Sequence, residues 1–362
     1  MEKLRVASLF CGCGGTDVGL LGDFDFLGKH YASNSMEIVY ANDIDDNACN
    51  IFKENFGIAP DNRDIREVKS EDIPEFDILT GGFPCQSFSI IAQNPKRLGV
   101  KDERGKLFFE MCRILKERQP KCFIAENVKG ILTANKKSAF PLIMKEFEDS
   151  GYNVQYRILN SANYGVPQKR ERVFFIGIKD DTDFEEAIWN QIFSQRRKAP
   201  TVRQLFSDLG PAGTDRNPQT CNAKITFAVK PVMRRIPYDC LMFNGIGCPI
   251  DPDGYSRTIT ASMGGNMMLI VDDVFLHDPT ADNWIQGYYD KLVSHEIIPE
   301  FKEAPPRLRR LTINEARRLQ TFPDDYIFCG SKTSVYKQIG NAVPCEMAKT
   351  VATAVVKYIT VD

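Results

Sequence analysis

Histidine is scarce in this sequence. His30, His277 and His295 are the full complement among 362 residues, and they stand far apart. Histidine-based metal chemistry and a histidine-centred triad are therefore poorly supplied. No apolar run approaches the roughly 18 to 20 residues needed to span a bilayer. Met1-Glu2-Lys3-Leu4-Arg5 leads directly into an apolar strand, so neither a membrane segment nor a signal peptide is expected and the protein should be cytoplasmic. The 11 cysteines form no paired Cys-x-x-Cys clusters, which argues against both a disulfide framework and a zinc site. Reduced thiols and no bound metal are the expectation. An excess of positive charge is missing as well, since 46 basic against 48 acidic residues give a net −2. A polyanion could be held only by local patches. Gln195-Arg196-Arg197-Lys198, the run from Lys230 to Arg235, and Arg307-Leu308-Arg309-Arg310 are candidates, though each also reads as ordinary solvated surface. Internal repeats and low-complexity tracts are absent.

What is present is a globular composition, 43% hydrophobic and 26% charged, on a chain longer than one ordinary domain. Strand-like runs at Arg5 to Phe10, Glu37 to Asn42, Phe76 to Leu79 and Lys121 to Ala125 alternate with helical patterns near Asp46 to Phe56 and Glu103 to Arg118. That alternation predicts an α/β fold with a doubly wound, mainly parallel sheet, and Tyr152 to Leu159 and Arg172 to Ile178 read as its closing strands. After about Lys179 the pattern dissolves into Pro- and Gly-punctuated segments without clear helical period. A second, smaller and irregular domain over 181–329 is expected, with 330–362 returning to complete the first domain, 1–180. Thr312 with Glu315 three residues on reads as a helix start, and a last helix is expected from about Pro344 to Tyr358.

Three constellations could carry chemistry. Gly81-Gly82-Phe83-Pro84-Cys85-Gln86-Ser87 sets a cysteine in a sharp turn just after a strand, at the sheet edge where ligands collect. Cys85 is there a candidate nucleophile, although a free cysteine is more often a small buried apolar residue. Phe10-Cys11-Gly12-Cys13-Gly14-Gly15-Thr16-Asp17 forms a glycine-rich strand-to-helix turn, suited to a nucleotide-like ligand. The next strand ends in Asn42-Asp43, where a carboxylate can accept hydrogen bonds from both ribose hydroxyls, and no second phosphate-cradling loop appears. A ligand with a ribose but no pyrophosphate fits this pattern. Glu126-Asn127-Val128 ends the strand after the cysteine's, so its carboxylate can emerge at the same edge. Along Gln168-Lys169-Arg170-Glu171-Arg172, alternation points Gln168, Arg170 and Arg172 to one side, whether as site residues or as a charged strand edge.

The order of these blocks resembles that of the DNA (cytosine-5)-methyltransferases of the bacterial or phage restriction-modification type. Arg310-Leu311-Thr312 through Leu319-Gln320-Thr321-Phe322-Pro323-Asp324, and Gln338-Ile339-Gly340-Asn341-Ala342-Val343-Pro344, match two further blocks of that family. Phe83 stands where many members have a second proline. The resemblance implies a Rossmann-like, AdoMet-dependent methyltransferase sheet with a smaller target-recognition domain. It implies Cys85 as nucleophile on cytosine carbon 6, Glu126 as the acid beside nitrogen 3, Arg172 on the cytosine carbonyl oxygen and Arg170 ordering the site. S-adenosylmethionine would lie against Phe10, Gly12, Gly14, Gly15, Asp43, Ile44, Asp64, Ile65, Asn341 and Ala342, and leave as S-adenosylhomocysteine. Double-stranded DNA would be the partner, with the target base rotated out of the stack. Gln86, Ser89 and Gln93 in a lid after Cys85, and Arg257 and Thr260 in the recognition domain, would contact it. Asn244, Arg257 and Asn266 are further candidates for reading base edges. A monomer is expected, linked in function to a restriction endonuclease without stable contact. A transfer-RNA methyltransferase of the same fold is the alternative, though its usual Cys-Phe-Thr segment is absent. A catalytically dead DNA-binding regulator is another, although it would have been signalled by loss of Cys85, Glu126 or the arginine pair. A nicotinamide dehydrogenase would use only the glycine turn.

Overall fold

The computed structural model of the chain describes residues 3–84, 107–218, 224–265 and 269–360. Its centre is a six-stranded sheet: β1 (Leu4–Leu9), β2 (Met36–Asn42), β3 (Ile78–Gly81), β4 (Cys122–Val128), β5 (Tyr152–Asn160) and β6 (Glu171–Lys179). The order across the sheet is β2-β1-β3-β4-β6-β5. The first four strands run parallel, whereas β6 is antiparallel to both β4 and β5. The sheet is thus mixed. Because β2 and β3 lie on opposite sides of β1, the strand order reverses there, and the crevice beyond the carboxyl ends of β1 and β3 is the place such sheets reserve for ligands.

The strands are nearly continuous apolar runs because both faces are covered. Phe108, Met111, Leu115, Ile143 and Phe147, from helices Leu107–Arg118 and Ala139–Glu148, pack one face. Helices Phe184–Ser194 and Cys345–Ile359 supply Phe184, Ile188, Trp189, Ile192, Met347 and Val351 to the other. The first of these corrects the sequence reading, which found no helical period beyond Lys179. Its stripe at positions i, i+4, i+5 and i+8 is a helical face buried on the sheet.

The remaining region has less regular structure. Cys248–Pro249, Leu269–Asp272 and Leu308–Arg310 form a three-stranded sheet, and Phe227–Val232 pairs with Leu241–Phe243 in a ribbon. Phe227, Met242, Phe243, Ile270 and Ile285 make a small core beneath them, with helix Trp284–Val293 alongside. Thr312 and Glu315 close the anticipated capping box at the start of helix Ile313–Leu319. Helix Lys332–Asn341, which the sequence reading did not assign, follows. Among the described residues no helix is long and apolar enough to cross a membrane, and no cluster of His, Cys, Asp and Glu could hold a metal ion.

Candidate active site

The turn after β1 is built from backbone conformations that most residues avoid. Gly12 and Gly14 have φ of 55° and 81°, and Phe10, although not glycine, has φ 54°. A bulky residue held there is strained, and such strain collects at ligand sites. Gly15 answers to packing instead, for a Cβ there would stand 2.7 Å from the Val343 carbonyl and 2.9 Å from Ala342 Cβ. That close approach sets Asn341, which is exposed, and Ala342 beside the glycine turn.

Asp43, just past β2, ties the turn down. Gly12 N donates to its Oδ2 at 2.8 Å and Asp45 N to its Oδ1 at 2.9 Å. One bond on each oxygen leaves further acceptor capacity on both. Burial pushes the Asp43 carboxyl up, against the downward pull of the Asp45 and Gly12 amides. Ile44 next to it is 67% exposed, an unusual position for a large apolar side chain beside a partly buried carboxylate. Asn42 Nδ2 donates to the Asp61 and Arg63 carbonyls at 2.8 and 2.9 Å, which brings the 61–64 segment to the same edge. Asp64 caps its own turn and pairs with Arg66, whose Nη2 lies 2.5 Å from Oδ2. Ile65 turns its side chain into the core.

At the carboxyl ends of β3 and β4, the two strands pair so that Gly81 lies opposite Ala125, and Glu126 follows beside Gly82. A Cβ on Gly82 would stand 3.5 Å from Glu126 Oε2. Phe83 is buried against Phe108, with ring centroids 5.0 Å apart, and its carbonyl accepts a 2.8 Å bond from Asn127 Nδ2. This explains Phe83 as a core anchor. It also adds Asn127, which the sequence reading quoted without a role, as the residue that fixes the turn leading to Cys85. Cys85 itself, with Gln86, Ser89, Gln93 and Asn266, lies outside the described residues.

Arg172 Nε stands 2.7 Å from Glu126 Oε1, both side chains being largely buried. Burial pushes the Glu126 carboxyl up, and the nearby Arg172 and Arg170 charges only partly offset it. Arg172 Nη1 donates to the Glu171 carbonyl at 2.8 Å. Arg170, 1% exposed, donates to the carbonyls of Ile259 at 2.8 Å, Gly340 at 3.2 Å and Asn341 at 3.4 Å. Gln168 is equally enclosed, donating to Leu319 O and Gln320 Oε1 and accepting from Ile259 N, each at 2.9 Å. The alternation read from the sequence thus describes one buried row that ties the β6 edge to the 259–260 loop and to the 339–342 turn.

Several DNA-contact candidates are otherwise engaged. Asn244 Nδ2 is used by Thr226 Oγ1 and the Phe227 carbonyl, at 2.9 and 2.8 Å. Arg257, in a short strand parallel to Gln168–Lys169, donates to Cys248 Sγ at 3.2 Å. Thr260 Oγ1 lies 3.2 Å from Ser262 Oγ. The 307–310 patch is largely consumed internally, and the 195–198 patch gives up Arg197 while Arg196 and Lys198 stay exposed. Arg197 pairs with Glu346 at 2.8 Å, Arg307 with Asp272 and Asp282 at 2.8 Å, and Arg309 with Asp273 and Glu315 at 2.6 and 2.7 Å.

Comparison with known proteins agrees with this arrangement. Residues 4–357 match the family of C-5 cytosine-specific DNA methylases. The chain is 35% identical to the Type II methyltransferase M.NgoFVII of Neisseria gonorrhoeae, covering 97% of this chain and 87% of that one. It is 30% identical to M.MthTI of Methanothermobacter thermautotrophicus, covering 98% of each. Among solved structures, the Dnmt2 methyltransferase of S. pombe superposes with a TM-score of 0.69 at 18% identity, covering 99% of this chain and all of that one. The Entamoeba histolytica methyltransferase EhMeth superposes at 0.66 and 16%, covering the whole of both chains.

Proposed function

We propose, since the chain belongs to the C-5 cytosine-specific DNA methylase family and is a DNA cytosine-5 methyltransferase of the Type II restriction-modification kind, that it acts through a covalent Cys85 adduct on a cytosine rotated out of duplex DNA. The methyl donor in this reading is S-adenosylmethionine. Asp43, with acceptor capacity left on both carboxylate oxygens, suits its ribose hydroxyls, and the exposed Ile44 suits the face of its adenine. Phe10, Gly12, Gly14, Asp64, Asn341 and Ala342 complete the proposed holder. When bound there, it supplies an electrophilic methyl group.

The observation that carries the reading is the buried Glu126–Arg172 pair beside the turn that leads to Cys85. Carbon 5 of cytosine is a poor nucleophile. Thiolate addition at carbon 6 turns the ring into an enamine, with the displaced electron pair moving toward nitrogen 3. Glu126, favoured in its protonated form by burial, donates a hydrogen bond or proton to that nitrogen. Arg172 holds the carboxyl through Nε, leaving Nη2 to donate to the cytosine carbonyl oxygen. Arg170 acts at one remove, as a positioning residue that keeps the 259 and 340–341 segments in register with β6. Once carbon 5 carries the methyl group, its proton passes to a base or water, the carbon 5–carbon 6 double bond re-forms and the carbon 6–sulfur bond breaks, releasing the Cys85 thiolate. We assign target choice to residues 181–329, and protection from a cognate restriction endonuclease as the biological outcome.

Bisulfite sequencing of DNA from cells expressing the protein tests the reading. Protection of cytosines within one short sequence is expected. Uniform conversion, with folded protein present, would overturn it.

A further inference from the structure

Of the three basic stretches in the second half, that from Lys230 to Arg235 keeps all of its cations exposed and outside any ion pair among the described residues, whereas the other two lose Arg197, Arg307 and Arg309 to internal carboxylates. Lys230, Arg234 and Arg235 are exposed, and their side chains make no ion pair or hydrogen bond among the described residues. They lie on and just beyond strand Phe227–Val232 of the two-stranded ribbon. The backbone that carries the arginines is fixed. Arg234 N donates to Cys240 Sγ at 3.1 Å, and the Tyr289 hydroxyl lies 2.9 and 3.1 Å from the Arg234 and Arg235 carbonyls. The anchored backbone holds these unengaged charged heads in fixed places, where a partner of opposite charge can meet them.

The ribbon is also coupled to the catalytic edge. Cys248 Sγ donates to the Tyr238 carbonyl at 3.1 Å and accepts from Arg257, whose strand pairs with Gln168–Lys169 directly before Arg170. A two-stranded ribbon can lie against or within a groove of B-form DNA. With a net charge of −2 on the whole chain, the affinity for a polyanion has to come from such a local cluster.

We infer that Lys230, Arg234 and Arg235 grip the phosphate backbone of the DNA substrate and hold the duplex over the catalytic edge. This rests on the DNA-methyltransferase reading and adds to it the residues that bind the backbone. They position without choosing the sequence, since phosphate contacts carry no base information.

The test is steady-state methylation of a target duplex by the wild type and by the K230A/R234A/R235A triple variant, across a salt series. Each lost phosphate contact should reduce the log–log salt slope of the DNA KM by about 0.9, so the triple variant should lose roughly 2 to 3 from that slope. Its DNA KM at low salt should rise at least tenfold, with kcat, the KM for S-adenosylmethionine and the methylated sequence unchanged. Circular dichroism and melting confirm the fold, and R234K/R235K should recover most of the slope. An unchanged slope in a folded, active variant would overturn the proposal. A changed methylated sequence with the slope intact would do so too, because it would make these residues base readers. A wild type without methylation of any duplex would instead sink the underlying reading.

Discussion

Replacing Asp17 by asparagine probes a carboxyl that the proposed chemistry does not use. Asp17 lies in the first turn of helix Gly15–Leu21, beneath the glycine turn, fully buried and with neither carboxylate oxygen hydrogen-bonded by another described residue. Burial pushes it from 3.8 to about 7, while the Ser8 hydroxyl pulls the other way without closing a bond of ordinary geometry. Between these values the folded state holds a proton that the unfolded chain has released. Stability therefore falls as pH rises through the window from about 4 to about 7, and is flat above it. Three pH decades at about 1.4 kcal/mol each set a ceiling of roughly 4 kcal/mol for the whole window, of which roughly 2 to 3 kcal/mol falls between pH 5 and pH 8. Asp17→Asn keeps the shape and has no proton to lose. Its stability relative to wild type should improve by that amount from pH 5 to pH 8 in reversible urea unfolding. The difference between the two proteins cancels the other titrating groups. A difference that stays constant to within about 0.5 kcal/mol across that range would refute the reasoning.

Asp43→Ala should weaken S-adenosylmethionine binding by roughly 1.5 to 3 kcal/mol, the range for a lost hydrogen bond to a charged group. Titration calorimetry reads it directly, and unchanged affinity would move the ribose contact elsewhere. Glu126→Gln keeps a hydrogen-bonding group near Arg172 but removes the acid, so kcat should drop by roughly 10² to 10⁴ with the DNA KM little altered. A tritiated-methyl assay showing kcat within threefold of wild type would remove Glu126 from the proton's path.

Much of the catalytic half was legible because strands buried on both faces leave long apolar runs, and because the chemistry sits at their ends. Helix Asp46–Phe56 falls where its pattern puts it, with Asp45 capping Asn47 and Ala48. The antiparallel direction of β6 was not legible, since an apolar run says nothing of its neighbour's direction. Helix Phe184–Ser194 escaped notice because its stripe stands at the start of a stretch dominated by turn residues, although the spacing of Phe184, Ile188 and Ile192 was there to be read. The site shows the same division. Glu126, Arg170 and Arg172 could be named from block order, but the different work of the two arginines depends on tertiary partners, Glu126 for Arg172 and three backbone carbonyls for Arg170. Asn127 needed the fold, because its task is to hold a carbonyl that lies 44 residues away. The same limit applies to charge, for Arg307 and Arg309 look like surface until Asp272, Asp273 and Glu315 are seen around them.

The central claim, a covalent bond between Cys85 and carbon 6 of the target cytosine, is tested most directly with a duplex carrying 5-fluorocytosine at the methylated position. Fluorine cannot leave as the carbon-5 proton does, so the adduct should persist after methyl transfer and be trapped only when S-adenosylmethionine is supplied. Peptide mass analysis of the trapped complex is expected to find the nucleotide on Cys85, and the Cys85→Ser protein should bind the same duplex without forming it. A nucleotide carried by any other cysteine, or turnover of the fluorinated duplex with no adduct at all, would contradict the mechanism.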